Sequence, residues 1–282
     1  MEKFSMFNNI RAGASRGDAL VSNVGALGLP EGTRPVRVLW MYPDVLNLHG
    51  GRGDLMALLH YSCLLGLPCE IRRINGFSDD IPFDAADLIW FPSGDLSVMK
   101  DVCAALAPHA GGFRAFAQKG GYVFAVASSG AVLAKRTVWL DGGVTEGMGL
   151  LDMEFTQRER PHGDDLLVDI PQGLRIVATQ IQMADCTLLD GQAPFGSVVY
   201  GRGNNGGGTE GARTGNAVFT NCLGPVLTKN PRLTESILKN CASAAGMDVS
   251  GLALKDEDIA LETAAAEDVK AFVQKKIDGQ IS

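Results

Sequence analysis

The sequence predicts an α/β fold, with three α/β/α layers around a mainly parallel sheet, and three observations predict it. In the first half, short apolar segments alternate with longer helical segments, which is the pattern of βαβ units. In the second half, short strands lie between glycine-rich turns. Between these halves, residues 121–130 run from mostly apolar residues into Ser-Ser-Gly. That segment predicts a buried strand, a tight turn and the start of a helix.

The elements of the first half follow one another as a parallel sheet requires. The predicted strands are 36–41, 70–74, 87–91 and 122–126, and the predicted helices are 55–67, 97–106 and 113–119. Ligands of such sheets lie beyond the carboxyl ends of the strands. The sequence therefore directs attention to the segments that follow three strands, 42–44, 92–95 and 127–129.

The second half predicts short strands and then two helices. The strands are 166–170, 174–180, 198–200 and 217–220, and the helices are 231–245 and 259–277. Pro231 suits a first helical turn, and the last helix begins acidic and ends rich in lysine, as the helix dipole favours. The glycine-rich run 201–208 contains no lysine, which argues against a phosphate-binding loop.

Composition divides the chain into three parts and excludes several partners. We expect an N-terminal extension over 1–34 that is loosely ordered unless a partner holds it, a domain over 35–245, and a C-terminal helical extension over 246–282. The net charge of −7 argues against nucleic acid and anionic membranes as partners. No segment resembles a membrane span or a secretory signal, so a cytoplasmic protein is expected. The six cysteines lack metal-like spacing and predict buried, reduced thiols, with no metal or cofactor.

Several segments carry a family resemblance, and they occur in the family's order. They are YPDVLNL at 42–48, FDAADLI at 83–89, EGMGLLD at 146–152, YGRGNN at 200–205, EG at 210–211 and GPVLTKNP at 224–231. These resemble the YPDxxNxY, FDxxD, EGLGLLD and YGxGNN…EG…HGPLLxKNP motifs of class I glutamine amidotransferases, in particular the GatD/CobQ-like branch. The resemblance covers about residues 36–240. It implies the amidotransferase fold, glutaminase chemistry and a partner subunit, a MurT-like or other ATP-dependent amide ligase.

The two residues that such a glutaminase needs for catalysis are absent from their family positions. The chemistry requires a thiolate at a strand-to-helix elbow and an imidazole that activates it. The family cysteine lies in ICGGYQLLG, which aligns without gaps with 126–134 and falls on Ala127. The family histidine precedes the GP pair, and Leu223 stands there. Neither side chain can attack a carbonyl or accept a proton, which predicts a catalytically inactive subunit.

The positions linked to substrate binding are also altered. A glycine triplet near the family's oxyanion hole is replaced by Pro-Ser-Gly at 92–94, and proline has no N–H to donate. The arginine of the glutamine-recognition segment becomes Asp185, which predicts a reversed local charge. The resemblance leaves four candidate ligand-binding residues, which are Gly94, Ser128, Ser129 and Arg160.

Two alternatives remain open beside the inactive subunit. Ser128 lies in an SSGA run that resembles the SAGA turn of serine peptidases on the same fold, so a serine hydrolase is possible with His49 or His162 as its base. A working glutaminase, of the lipid II isoglutaminyl synthase type, follows if the alignment at Ala127 is wrong. Cys222, beside the lost histidine position, is expected to be a packed thiol. The main hypothesis is a binding or regulatory partner of an amide ligase, with a role in cell-wall metabolism implied by the resemblance.

Overall fold

The computed structural model describes residues 20–30 and 32–280. The strands among them are β1 (Leu20–Ser22), β2 (Val36–Met41), β3 (Cys69–Ile74), β4 (Leu88–Phe91), β5 (Tyr122–Val126), β6 (Arg136–Val138), β7 (Val144–Glu146), β8 (Met153–Ile170), β9 (Leu174–Leu188), β10 (Gly196–Tyr200), β11 (Thr209–Glu210), β12 (Ala212–Thr214) and β13 (Ala217–Thr220). The α-helices are α1 (Gly51–Leu64), α2 (Met99–Leu106), α3 (Ala110–Gln118), α4 (Gly130–Leu133), α5 (Val226–Lys229), α6 (Pro231–Ala244) and α7 (Ala260–Ile277).

A mainly parallel sheet forms the centre of the fold, as the sequence predicts. Its strand order is β1-β3-β2-β4-β5-β13-β12. The five inner strands, from β3 to β13, pair in parallel. The two edge strands, β1 and β12, are antiparallel to their neighbours. The carboxyl ends of β4, β5 and β13 therefore meet at one edge of the sheet.

Helices cover both faces of this sheet, which confirms the three-layer α/β/α prediction. Successive residues of a strand point to opposite faces, and β5 shows this alternation. Phe124 and Val126 belong to the buried cluster that includes α1 and α6. Val123 and Ala125 belong to the cluster that includes α2, α3 and α4. Both faces of β5 are buried, which explains its continuous apolar sequence.

A second sheet corrects the prediction of short strands in the second half. Its order is β11-β10-β8-β6-β7, with β9 paired to β8. The predicted strands 166–170 and 174–180 are the turn-proximal parts of β8 and β9, which contain 18 and 15 residues. The outer part of β8 is exposed and reads TQRERPHGDD, so it lacks the apolar pattern that predicts a strand. Its register shifts between Gln157 and His162, a bulge that accommodates Pro161.

Part of the segment expected as an N-terminal extension pairs with the central sheet. Residues 20–22 form β1 and pair with β3. The Asn23 side chain donates to Ser62 Oγ at 2.9 Å and to Leu67 O at 3.0 Å, and it accepts from Cys69 N at 2.7 Å. A buried amide thus ties the segment to β3 and to the end of α1. The expectation of loose order over 1–19 lies outside the described residues.

The C-terminal helix folds back onto the hairpin of β8 and β9. Val273 of α7 is fully buried against Leu167 and Val177. Lys276 Nζ lies 3.2 Å from Asp164 Oδ1 and 3.0 Å from Asp165 Oδ2. The predicted C-terminal helix forms and packs against the domain. None of the helices in the described part of the chain combines the length and the apolar character needed to cross a membrane.

Candidate functional site

The predicted strand-to-helix elbow forms at the end of β5. A single 3₁₀ turn, Ala127–Ser129, connects β5 to α4. Ala127 has φ +49°, a left-handed conformation that costs an L-residue about 1–2 kcal/mol. Gly130 allows the close approach of the helix, because a Cβ there would lie 2.4 Å from the Phe219 ring. A sharp, strained turn of this kind holds the nucleophile in α/β hydrolases. Here it holds a methyl group.

The two serines of the elbow are occupied by the β4 loop. Ser128 Oγ donates to Gly94 O at 2.7 Å and accepts from Gly94 N at 3.0 Å. Ser129 Oγ is buried and donates to Pro92 O at 2.5 Å. The Ser128 proton is therefore directed to a carbonyl, not to an imidazole. In the same way, the Gly94 N–H is bonded to a hydroxyl and not open for an oxyanion.

Leu223 lies in apolar surroundings on the other side of the elbow. It is 3% exposed, and its N–H donates to Thr179 O at 2.8 Å. Ala127 and Leu223 belong to the same buried apolar cluster. The thiol of Cys222 is also buried, and this burial raises its pKa well above the usual range, which favours the inert thiol form. The predicted packed thiol is consistent with this geometry.

A pocket of about 200 Å³ opens at the elbow. Its apolar lining consists of Leu48, Leu96, Ala127, Phe155, Pro161, Ile181, Met183 and Ala184. Its other lining residues are His49, Ser93, Gly94, Asp95, Ser128, Gln182 and Asn221. Of the sequence-predicted site residues, the structure brings Gly94, Ala127 and Ser128 together there. Ser129, Leu223 and Arg160 are not part of this lining, and none of the six cysteines is.

A buried polar network below the pocket was not predicted as a unit. Asn221 donates from Nδ2 to Glu210 Oε2 at 3.0 Å and to Asn204 Oδ1 at 3.3 Å. Glu210 also accepts from Thr220 Oγ1 at 2.7 Å and from Asn221 N at 2.6 Å. Burial raises the pKa of Glu210, and these hydrogen bonds oppose that rise. Asn221 directly follows β13, so the rule that sites lie at the carboxyl ends of parallel strands points to it.

The predicted charge reversal at Asp185 is offset by two arginines. Arg158 Nη1 donates to the two Asp185 oxygens at 2.9 and 3.0 Å, and Arg202 Nη2 donates to Asp185 Oδ2 at 2.9 Å. These three side chains together carry one net positive charge. Arg160, the expected substrate ligand, lies in the β8 bulge with an exposed side chain. The Asp185 carboxylate is thus paired with two arginines and is not an isolated negative charge.

The two histidines proposed as bases occupy different places. His49 lies in the loop before α1 and lines the pocket. His162 lies in β8, where its Nε2 is buried and has no hydrogen-bond partner in the described part of the chain. Neither imidazole is hydrogen-bonded to Ser128, whose partners are in the β4 loop. Among residues 20–30 and 32–280, no group of three or more His, Cys, Asp or Glu side chains is placed to hold a metal ion.

Comparison with known proteins gives relatives that match most of the chain. The chain is 24% identical over 238 residues to the lipid II isoglutaminyl synthase (glutamine-hydrolyzing) subunit GatD of Streptococcus pneumoniae, covering 82% of this chain and 91% of that protein. It is 25% identical over 215 residues to the subunit of the same name from Staphylococcus aureus, covering 72% and 83%. No protein-family model matches the sequence.

A solved structure supports the fold. PurLQS from Thermotoga maritima aligns with a TM-score of 0.50 at 16% identity, over 75% of this chain and 97% of that one. A crystal structure of a glutamine amidotransferase aligns with a TM-score of 0.48 at 15% identity, over 72% and 98%. With its ordered sequence motifs and the elbow after β5, the chain is similar to the class I glutamine amidotransferases, and its curated relatives are GatD subunits.

Proposed function

We propose that this chain is a non-catalytic amidotransferase-type subunit that binds and regulates an ATP-dependent amide ligase of the MurT-like kind. The observation that carries the proposal is the methyl group of Ala127 at the strained elbow after β5. The backbone that presents a nucleophile is retained, whereas the nucleophile is not. A fold that is retained without its nucleophile would function by binding, through its surfaces and its pocket.

Three further features of the site support the loss of glutamine hydrolysis. Leu223 places an aliphatic side chain in apolar packing where a base would be needed. Gly94 N is bonded to Ser128 Oγ, so an oxyanion would have to displace an existing hydrogen bond. Pro92 supplies no N–H. If one of these three features were restored, the other two would still hinder glutamine hydrolysis.

The same contacts argue against a serine hydrolase. An activated serine needs a base within hydrogen-bonding reach of its hydroxyl, about 2.6–3.2 Å. The Ser128 hydroxyl instead donates to Gly94 O at 2.7 Å. The hydrogen bonds of Ser128 to the β4 loop therefore support a structural role, in which the side chain ties the end of β5 to the end of β4.

The relatives support the choice of partner. Both GatD proteins are named as subunits of an isoglutaminyl synthase, so they function within a larger enzyme. In the present chain, Leu48, Ile181 and Met183 are between 36% and 41% exposed and surround the pocket. Large exposed apolar side chains gathered at one place are typical of a protein interface. A specific interface here should bury more than about 1,200 Å² in total.

Ammonia release from glutamine tests the inactivity. We expect the purified chain, alone or with its ligase, to release no more ammonia than a Ser128→Ala variant or a sample without protein. Loss of a nucleophile lowers turnover by several orders of magnitude, and the remainder arises from binding alone. Turnover that co-purifies with the chain through successive columns and is lost in a Ser128→Ala variant would support the serine alternative. Turnover retained in that variant would contradict inactivity outright.

Size-exclusion chromatography with light scattering tests the partnership. The chain is mixed with candidate ligase subunits encoded near it, and we expect a stable complex with one of them. A lone monomer with every candidate would contradict the proposed role.

A further inference from the structure

The side-chain oxygen of Asn221 is a free hydrogen-bond acceptor in the interior of the pocket at the elbow. Asn221 is 3% exposed and lines the pocket. Both hydrogens of its amide nitrogen are used, because Nδ2 donates to Glu210 Oε2 and to Asn204 Oδ1. The side-chain oxygen has no hydrogen-bond partner among the described residues. It is also not among the fully buried atoms without a partner, which include Trp90 Nε1. The oxygen is therefore open to the pocket as a hydrogen-bond acceptor.

The network below fixes which amide atom faces the pocket. Glu210 Oε2 is a carboxyl oxygen that accepts from Asn221 Nδ2, while Glu210 Oε1 is held by Thr220 Oγ1 and Asn221 N. Asn204 Oδ1 already accepts from Gly211 N at 2.8 Å, which identifies it as an oxygen. A flipped Asn221 amide would direct its oxygen at these two acceptors and lose both bonds. The network thus holds Asn221 Oδ1 toward the cavity.

Two other polar side chains of the lining, Gln182 and Ser128, already have good hydrogen-bond partners. Gln182 donates from Nε2 to Asn204 O at 2.6 Å and accepts at Oε1 from Gln180 Nε2 at 3.1 Å. Ser128 is bonded to both backbone groups of Gly94. His49 and Asp95 have exposed side chains, so they lie at the mouth. Ser93 Oγ, the remaining hydroxyl of the lining, lies 3.5 Å from Ser128 Oγ, which is a long contact. The lining is thus mostly apolar, and Asn221 Oδ1 is a side-chain acceptor in it that has no partner among the described residues.

We propose that this pocket binds a small, mainly apolar molecule that carries one N–H or O–H donor, which bonds to Asn221 Oδ1. The volume of about 200 Å³ is somewhat larger than the apolar cavity of about 150 Å³ that accepts benzene. A ring with one or two substituents therefore fits, whereas the charged α-amino and α-carboxyl groups of an amino acid would be desolvated there without partners. The inference deepens the proposed function, since it assigns a ligand class to the site of a subunit taken to be non-catalytic.

Phenol and toluene form a matched pair of probes for this inference. They differ only by a hydroxyl in place of a methyl group, and toluene is the more apolar. A purely apolar pocket would prefer toluene, whereas an open acceptor reverses that order, because a buried hydrogen bond adds affinity only where a partner is in place. We expect phenol to bind about fivefold more tightly than toluene.

Alanine-methyl NMR of the intact chain measures both affinities at the site. We expect saturable shifts of the Ala127 and Ala184 methyl signals, with none at Ala264 on the exposed face of α7. Ala184→Leu fills the pocket and should abolish the shifts of Ala127, and Leu261→Asn, on the 79% exposed Leu261, should leave them unchanged. Tighter binding of toluene, or no saturable shift in the wild-type chain, would overturn the inference. Neither result bears on the complex with a ligase, and ammonia release would count against the proposed function without affecting the phenol result.

Discussion

Asp54 is a buried carboxyl group that makes stability depend on pH. It is 2% exposed at the start of α1 and accepts from Leu227 N at 2.8 Å. Burial raises the pKa of Asp54 from 3.8 to about 7, with the Leu227 N–H opposing the rise. Because the folded pKa lies above the unfolded one, the folded state holds the proton more tightly. The stabilisation that comes from the proton on Asp54 is complete below about pH 4. It is lost as the pH rises through about 7.

Replacement of Asp54 by Asn tests this pH dependence of stability. Asn is neutral at every pH and keeps an oxygen for Leu227 N. We expect Asp54→Asn to be more stable than the wild-type chain at pH 8, by up to about 4 kcal/mol for a shift of this size, and to approach it at pH 4. Urea denaturation across pH 4–8 measures the difference. A difference that does not change with pH would contradict the assignment.

Ala127 and Leu223 can be restored to the family residues, and we expect little recovery. Ala127→Cys with Leu223→His supplies a thiol and an imidazole, but Pro92 and the bond from Gly94 N to Ser128 Oγ still oppose an oxyanion. The glutaminase rate of this variant should stay at least about a hundredfold below that of a GatD relative, since one oxyanion donor alone is worth about 10²–10³ in rate. Adding Ser128→Gly frees the Gly94 N–H and should raise the rate. Full activity in the double variant would refute the importance of the oxyanion contacts.

Motif spacing assigns these residues to positions along the chain, but it cannot supply their hydrogen bonds. The position of Ala127 follows from its strand, its small-residue turn and the downstream EGMGLLD segment. The role of Asn221 depends on Glu210 and Asn204, which are distant in sequence and meet only after β10–β13 have folded. In the same way, the charge of Asp185 could be read from the sequence, while its two arginine partners could not.

Helix α7 packs against the β8–β9 hairpin through a small apolar contact. Val273 is fully buried against the β8–β9 hairpin, while Leu261 on the same helix is 79% exposed. We expect Val273→Ala to lower the free energy of unfolding by about 1–3 kcal/mol, through lost burial and a cavity. Leu261→Ala, the matched control, should stay within about 0.5 kcal/mol. Equal effects in chemical denaturation would show that the helix is not docked through Val273.

The buried side-chain amide of Asn23 helps to hold the N-terminal strand against β3. Asn23 makes hydrogen bonds to Ser62 Oγ, Leu67 O and Cys69 N. Asn23→Ala leaves the Cys69 N–H and the Leu67 carbonyl without these partners, which costs about 1–3 kcal/mol for each buried group left unsatisfied. Hydrogen exchange should show faster exchange in residues 20–23 and in β3. Ser22→Ala, which removes only an exposed hydroxyl, should not change the exchange of β3.

Several of the strands that the sequence alone predicted have a two-sided apolar environment. β2, β4, β5 and β13 are buried on both faces, so their apolar runs stand out. The middle of β8, residues 156–165, has no buried side chain, so pairing with β9 and not an apolar pattern defines the strand there. β1 is three residues long and depends on the Asn23 contacts, which no local pattern reveals.

For the whole molecule, the layers place the pocket and its exposed apolar rim at one end of the parallel sheet. The rim is formed by Leu48, Ile181 and Met183, which come from the loop after β2 and from β9. The last helix packs on the other part of the hairpin, through Leu167 and Val177. The molecule thus has two separate candidate surfaces for a partner, the rim and the exposed side of α7.

The rim is the surface we expect a ligase to contact, because its exposed apolar side chains are gathered beside the pocket at the elbow. Ile181→Asp with Met183→Asp places two charges there, and both side chains are already partly exposed, so folding should be kept. We expect the dissociation constant of the ligase complex to rise at least tenfold, since buried apolar contacts at an interface do not tolerate unpaired charges. Leu261→Asp with Phe272→Asp makes the same change in charge on α7, where both residues are exposed, and should leave the affinity unchanged. Biolayer interferometry compares the two variants directly. Loss of binding in the α7 variant alone would move the interface to the C-terminal helix.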